Sequence, residues 1–190
     1  MKNFVAGVDE VGRGSLIGPV CAAAVILNKK IDKTKLKDSK KLSKKNREIL
    51  EKYIKKNSNW SIGSASKREI EKLNILNASL LAMKRAILKL KKKPNLILVD
   101  GNKVPKIKNY NLKYVIKGDQ KIPEISAASI VAKVSRDRLI KRISNKYIKY
   151  FWNKNAGYGT KQHLSAIKKF GITKYHRKTF KPIHYMLSPK

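Results

Sequence analysis

Apolar residues in this chain come in short runs near its beginning and in helical spacing further along. Residues 4–9 and 20–27 are compact apolar stretches of strand length, and the segment between them carries Gly12, Gly14 and Gly18, which permit sharp turns and close approach to a ligand. A hairpin-like strand pair is predicted. Residues 42–55 read as a short charged helix begun by Ser43, residues 60–64 as a third strand, and another helix starts near Ser66. After Asn74, the residues Leu76, Leu80, Met83, Ile87 and Leu90 follow alternating spacings of four and three, which places them on one helical face. Residues 91–94 interrupt that stripe after about two heptads, too few for a coiled-coil seam, so packing against a sheet is predicted.

Residues 96–99 and 113–116 are two further apolar strands, ending at Asp100-Gly101 and Gly118-Asp119. Pro123 and Glu124 suit the first turn of a long helix reaching about Tyr147, and a shorter helix covers residues 161–170. Beyond Thr179 the pattern fades, and a tail that docks loosely or frays is expected. Early strands followed by alternating helix and strand give an α/β fold, a mixed β-sheet flanked by α-helices. At 190 residues and 42% hydrophobic composition, the chain can bury one sizeable core, so a single domain over residues 1–190 is expected.

Composition narrows the function classes. The apolar run at 20–27 is too short to cross a bilayer and residues 1–8 do not resemble a secretory signal, so a cytoplasmic protein without membrane association, and a monomer, are expected. Cys21 is the only cysteine, which excludes a disulfide framework or zinc cluster within the chain. Forty-six Lys and Arg against 12 Asp and Glu give a formal charge of +34, a field that attracts polyanions such as nucleic acid. Abundant Lys, Ile and Asn would also follow from an AT-rich genome, so the charge alone carries little weight.

So few acids can be sorted one by one. Glu48, Glu51, Glu69 and Glu71 lie in lysine-rich amphipathic segments where solvated i,i+3 or i,i+4 pairs account for them, and Asp32 sits in a polar turn. Glu124 suits a helix dipole, Asp137 is four residues from both Lys133 and Lys141, and Asp38 could cap a turn or line a phosphate site. Asp9, Glu10, Asp100 and Asp119 remain, each at the end of an apolar strand, where a sheet can aim several side chains into one crevice. Clustered carboxylates repel one another unless protonated or bound to a hard divalent ion. In so basic a chain, Mg²⁺ or Mn²⁺ acting on a phosphodiester is the economical reading, with two ions able to activate water and stabilise the departing oxygen. Adjacent strand residues point to opposite faces, so Asp9 and Glu10 can share a crevice only if the strand ends or twists there.

The glycine spacing does not match a dinucleotide fingerprint, and a strand rather than a helix follows it. His163, His176 and His184 lack metal-ligand spacing, and ordinary packing is expected of His163.

The segment Gly7-Val8-Asp9-Glu10-Val11-Gly12-Arg13-Gly14, with Gly18-Pro19, resembles the opening signature of the ribonuclease HII family. The resemblance continues in order through Asp38-Ser39-Lys40-Lys41-Leu42, Asn74-Ile75-Leu76-Asn77-Ala78, Val99-Asp100-Gly101, Lys117-Gly118-Asp119, the run from Ala127 to Val134, Arg136-Asp137, Gly157-Tyr158-Gly159-Thr160 and His176-Arg177. It implies a ribonuclease H-like fold and assigns metal binding and catalysis to Asp9, Glu10, Asp100 and Asp119, with a structural role for Asp137. It further implies that Gly12, Arg13 and Gly14 grip the phosphate and ribose at the step from ribonucleotide to deoxyribonucleotide, aided by Tyr158. Lys40 and Asn77 match positions near the bound strands.

The implied substrates are RNA–DNA hybrid and DNA duplex containing ribonucleotides, cut on the 5′ side of the ribonucleotide to leave a 3′-hydroxyl and a 5′-phosphate. Two alternatives are a related nuclease restricted to long hybrids and a noncatalytic basic nucleic-acid-binding module.

Overall fold

The computed structural model describes residues 4–29, 31–36 and 42–188. Five strands, β1 (Val5–Val11), β2 (Val20–Leu27), β3 (Ser58–Ala65), β4 (Leu96–Asp100) and β5 (Leu112–Val115), form one sheet in the order β3-β2-β1-β4-β5. The first three run antiparallel, whereas β4 pairs parallel with β1 and β5 parallel with β4. The sheet is therefore mixed. The helices are α1 (Lys44–Lys56), α2 (Lys67–Leu88), α3 (Gly118–Lys121), α4 (Pro123–Ser144), α5 (Trp152–Asn155), α6 (Lys161–Phe170) and α7 (Lys181–Leu187).

Strand alternation divides the core. Ala6, Val8, Ala22, Ala24, Ile97 and Val99 face α2, while Ala23 and Val25 pack with Ala127, Ala128 and Val131 of α4 and with Ile54 of α1. Small side chains bring α4 onto β1. A Cβ on Gly7 would lie 2.0 Å from the carbonyl carbon of Glu124, so only glycine fits this crossing.

Helix α2 departs from its expected stripe. Met83 and Ile87 are buried as predicted, but the face is centred on Ala78, Ala82 and Ala86, and Leu80 and Leu90 only flank it. The alanines allow close contact with β3, where a Cβ on Gly63 would meet the Ala82 carbonyl oxygen at 2.2 Å. The start near Ser66 is a full capping box with Glu69. At Asn74 the helix breaks (φ 66°, ψ 167°), and the Asn74 side chain accepts from the Asn77 N–H at 3.1 Å, restarting it.

A third cluster, built on Leu16, Ile17, Ile140, Trp152, Ile167 and Ile183, lies under the glycine loop. Ile183 belongs to α7, formed by the residues expected to lack pattern. A seven-residue helix with one buried anchor is too short to show periodicity in sequence. Glu51, expected to be solvated, is buried and held in a two-pronged ion pair with Arg138 at 3.0 Å to each oxygen, because α1 packs against α4.

Candidate active site

Asp9 and Asp100 stand side by side at the carboxyl ends of β1 and β4. Val8 registers with Val99 across the parallel pair, so Asp9 lies beside Asp100, and alternation places both on the α4 side. The strand does not end at Asp9 and Glu10 as expected. Pairing continues to Val11, opposite Cys21, and the chain turns at Gly12 (φ 91°). Asp9 and Glu10 thus leave on opposite faces, yet both remain electrostatically coupled to Asp100.

Asp9 is buried, its own Oδ1 accepting from the Glu10 N–H at 2.7 Å. Burial first, and the charges of Glu10 and Asp100 next, hold its pKa well above the usual carboxylate range, against an opposing contribution from the Ser129 hydroxyl. Burial also raises Glu10, which the guanidinium of Arg13 at 3.2 Å partly offsets. Asp100 Oδ1 accepts from the Gly118 N–H at 2.7 Å and the Asp119 N–H at 3.4 Å. This carboxylate therefore anchors the turn that presents Asp119, itself buried at the start of α3.

Among the described residues, no group of three or more His, Cys, Asp or Glu side chains is placed to hold a metal ion as folded. Asp9, Glu10 and Asp100 are coupled to one another through charge, and Asp100 reaches Asp119 through its backbone N–H. Their chemistry fits a hard divalent ion: every donor is a carboxylate oxygen, and among the described residues Asp9 has no ion-pair partner while Glu10 has only Arg13.

Beside this crevice, the loop from Gly12 to Pro19 meets two later segments. Ser15 bridges to Tyr158 and Ile17 to His176. Gly14 is exposed against the Tyr158 ring, whose Cε1 would lie 3.9 Å from a Cβ there, and Arg13 is half-exposed. The sequence-predicted loop and tyrosine are thus brought together. Tyr158 is held through its carbonyl, which accepts from His163 Nδ1 at 2.9 Å. That contact fixes the His163 tautomer, leaving Nε2 one lone pair that accepts from Trp152 Nε1 at 2.8 Å; the Thr173 N–H donating to His176 Nδ1 at 2.8 Å fixes the other, and His176 Nε2–H lies 3.3 Å from the same His163 nitrogen. Burial lowers both histidines, His176 to about 4.

Asn77 sits apart from this assembly, its side-chain amide donating to the Leu73 carbonyl at 3.1 Å. Lys40 and Asp38 lie outside the described residues. Asp137 forms the expected pair with Lys133 at 2.9 Å. Sequence reasoning gave no role to Ser129, Arg136 or Arg177. A signal existed for Arg136, which follows Ala128 and Ala132 and precedes Ile140 at four-residue steps along the buried face of α4. Arg177 lies outside any periodic segment.

A family model described as Ribonuclease HII matches residues 6–185. Ribonuclease HII of Pelagibacter ubique (strain HTCC1062) is 73% identical over 97% of this chain and all of the relative. The structure of the PCNA:RNase HII complex from Archaeoglobus fulgidus superposes with a TM-score of 0.80 at 28% identity, covering 93% of this chain and 95% of that one. Bst-RNase HIII in complex with Mn²⁺ shares the fold, with a TM-score of 0.72 at 14% identity, over 97% of this chain and 69% of that one. The mixed sheet flanked by helices is thus the ribonuclease H-like fold, and the chain belongs to the ribonuclease HII family, endonucleases that cleave the RNA of RNA–DNA hybrids.

Proposed function

We propose that this chain also cuts DNA duplex on the 5′ side of an embedded ribonucleotide, using Asp9, Glu10, Asp100 and Asp119 to hold two divalent ions, Mg²⁺ or Mn²⁺. The observation that carries this reading is Asp9, a carboxyl beside Asp100 whose pKa is raised by burial and by the charges of Glu10 and Asp100, on the strand that leads into the loop where Gly14 faces the Tyr158 ring. Ions bound there would stabilise charge on the phosphodiester and lower the pKa of the attacking water. The chain's own residues supply the rest. Asp100 fixes the turn carrying Asp119 through the Gly118 amide, Arg13 restrains Glu10, and Ser129 orients Asp9.

Gly12, Arg13 and Gly14 present backbone to the ribose, Gly14 with no side chain in the way of a 2′-hydroxyl and Gly12 with its absent Cβ making room for Arg136, and Tyr158 offers an aromatic face to the sugar. Lys40 and Asn77 are assigned to phosphate contacts. The products are a 3′-hydroxyl and a 5′-phosphate. The whole chain acts as one catalytic unit, as a monomer in the cytoplasm.

The test is a DNA duplex carrying one ribonucleotide, incubated with Mg²⁺ or Mn²⁺ beside an all-DNA control. A single cut 5′ of the ribonucleotide is expected. Cleavage confined to long hybrids would overturn the junction reading.

A further inference from the structure

Two arginines, Arg136 and Arg177, are fully buried beneath the glycine loop, and among the described residues neither forms an ion pair. Their donors go to backbone carbonyls instead. Arg136 reaches Pro19 (Nε, 3.2 Å), Ala156 (Nη1, 3.1 Å) and Ile17 (Nη2, 3.1 Å), while Arg177 reaches Gly18 (Nε, 2.9 Å) and Arg13 (Nη1, 2.9 Å). Burial and the charge of Arg136 lower Arg177 to about 9, and its Nη2 is buried without a hydrogen-bond partner. Keeping two like charges in the interior is costly, so the carbonyls they orient warrant inspection.

In a trans peptide the C=O and the following N–H point in opposite directions. A carbonyl drawn inward by a guanidinium therefore turns the next N–H outward. The Gly18 N–H is taken by the Tyr175 carbonyl at 3.0 Å, Pro19 has no N–H, the Val20 N–H belongs to a fully buried residue of β2, and the Gly157 N–H is taken by Asn155 Oδ1 at 2.8 Å. The Arg13–Gly14 peptide differs. Its carbonyl accepts from Arg177, while Gly14 is exposed, its N–H has no acceptor among the described residues, and its α-carbon faces the Tyr158 ring. A hydrogen bond from a cation also polarises the peptide and strengthens its N–H as a donor.

We propose that Arg177 is a positioning residue that aims the Gly14 N–H at the ribonucleotide, with Arg136 locking the rest of the loop to the segment carrying Tyr158. This rests on the reading of the loop as the junction-sensing element. The requirement is for a forked donor, since one nitrogen holds Gly18 and another Arg13. Lysine retains charge and lacks the fork.

The experiment compares wild type, Arg177→Met and Arg177→Lys on a DNA duplex with one ribonucleotide and on a continuous RNA–DNA hybrid, taking the ratio of kcat/KM values. Loss of folded protein cancels in that ratio. Both variants are expected to lower it about tenfold or more, a misplacement effect. If Arg177→Met does not fold, Arg177→Lys decides alone. A wild-type ratio in Arg177→Lys overturns the positioning role, whereas wild-type enzyme unable to cut at the single ribonucleotide overturns the junction reading and this proposal with it.

Discussion

The carboxylates at the ends of β1 and β4 and the arginines beneath the glycine loop both bury like charges, but they are compensated differently. Arg136 and Arg177 spend five hydrogen bonds on backbone carbonyls, so the protein itself supplies most of what water would have offered. Asp9 receives the Glu10 N–H and the influence of Ser129, and its pKa stays high. The first arrangement is nearly complete as folded, with only Arg177 Nη2 unpaired, and gives a fixed loop. The second leaves negative charge for a ligand to neutralise. A binding site is thus distinguished from a scaffold by what remains uncompensated, rather than by how much charge is buried.

The largest expected effect that separates the two regions is on cleavage. Asp100→Asn should lower hybrid cleavage by roughly 10³-fold, the scale of losing a catalytic group, while leaving substrate binding intact or improved. Cleavage within tenfold of wild type would remove Asp100 from the chemistry. Stability should then split in sign. Arg136→Met strands three carbonyls and is expected to cost about 3 kcal/mol, a fall of roughly 6–12 °C in Tm for a chain of this size. Asp9→Asn relieves an unfavourable charge and should raise Tm by a few degrees in metal-free buffer. Movement of both in the same direction would contradict the comparison.

The histidine chain behind Tyr158 gives a pH-dependent version of the same test. A base whose folded pKa is depressed contributes fully above its unfolded value, and that stability is lost as protons bind the unfolded state preferentially. With His176 at about 4 against an ordinary value of 6.5, stability should decline as pH falls from about 6.5 towards 4, by on the order of 2–3 kcal/mol. Glu69, lowered to about 2 by Arg85 and the Ser66 cap, loses its contribution in a more acidic window, between about 4.5 and 2. In the interval from pH 6.5 to 4.5 the histidines act against Asp9 and Glu10, whose raised pKa values favour the fold as pH falls, so the histidine share is read from the difference between variants. Thermal unfolding across that interval should show a steeper slope in wild type than in His176→Gln, and equal slopes would discard the role assigned to the pair.

Much of this was legible without coordinates because it is local. Strand runs, the Ser43 and Ser66 caps and the helix at residues 161–170 depend on periodicity and backbone satisfaction over a few neighbours, and they appear where the pattern puts them. The four carboxylates could be isolated because so few acids compete for roles, and family resemblance added the loop and Tyr158. Where reasoning failed, the deciding contacts were distant in sequence. The strand ran on through Glu10 because Val11 pairs with Cys21, Glu51 became buried because Arg138 lies across from it, and α7 exists through Ile183. Arg177 reaches Arg13 across 164 positions. Sequence by itself determined most of the helices and strands and which acids stand near strand ends, since those follow from neighbouring residues. Only the tertiary structure decided which buried charges are satisfied and which are left open, because that depends on carbonyls and carboxylates brought together from opposite ends of the chain.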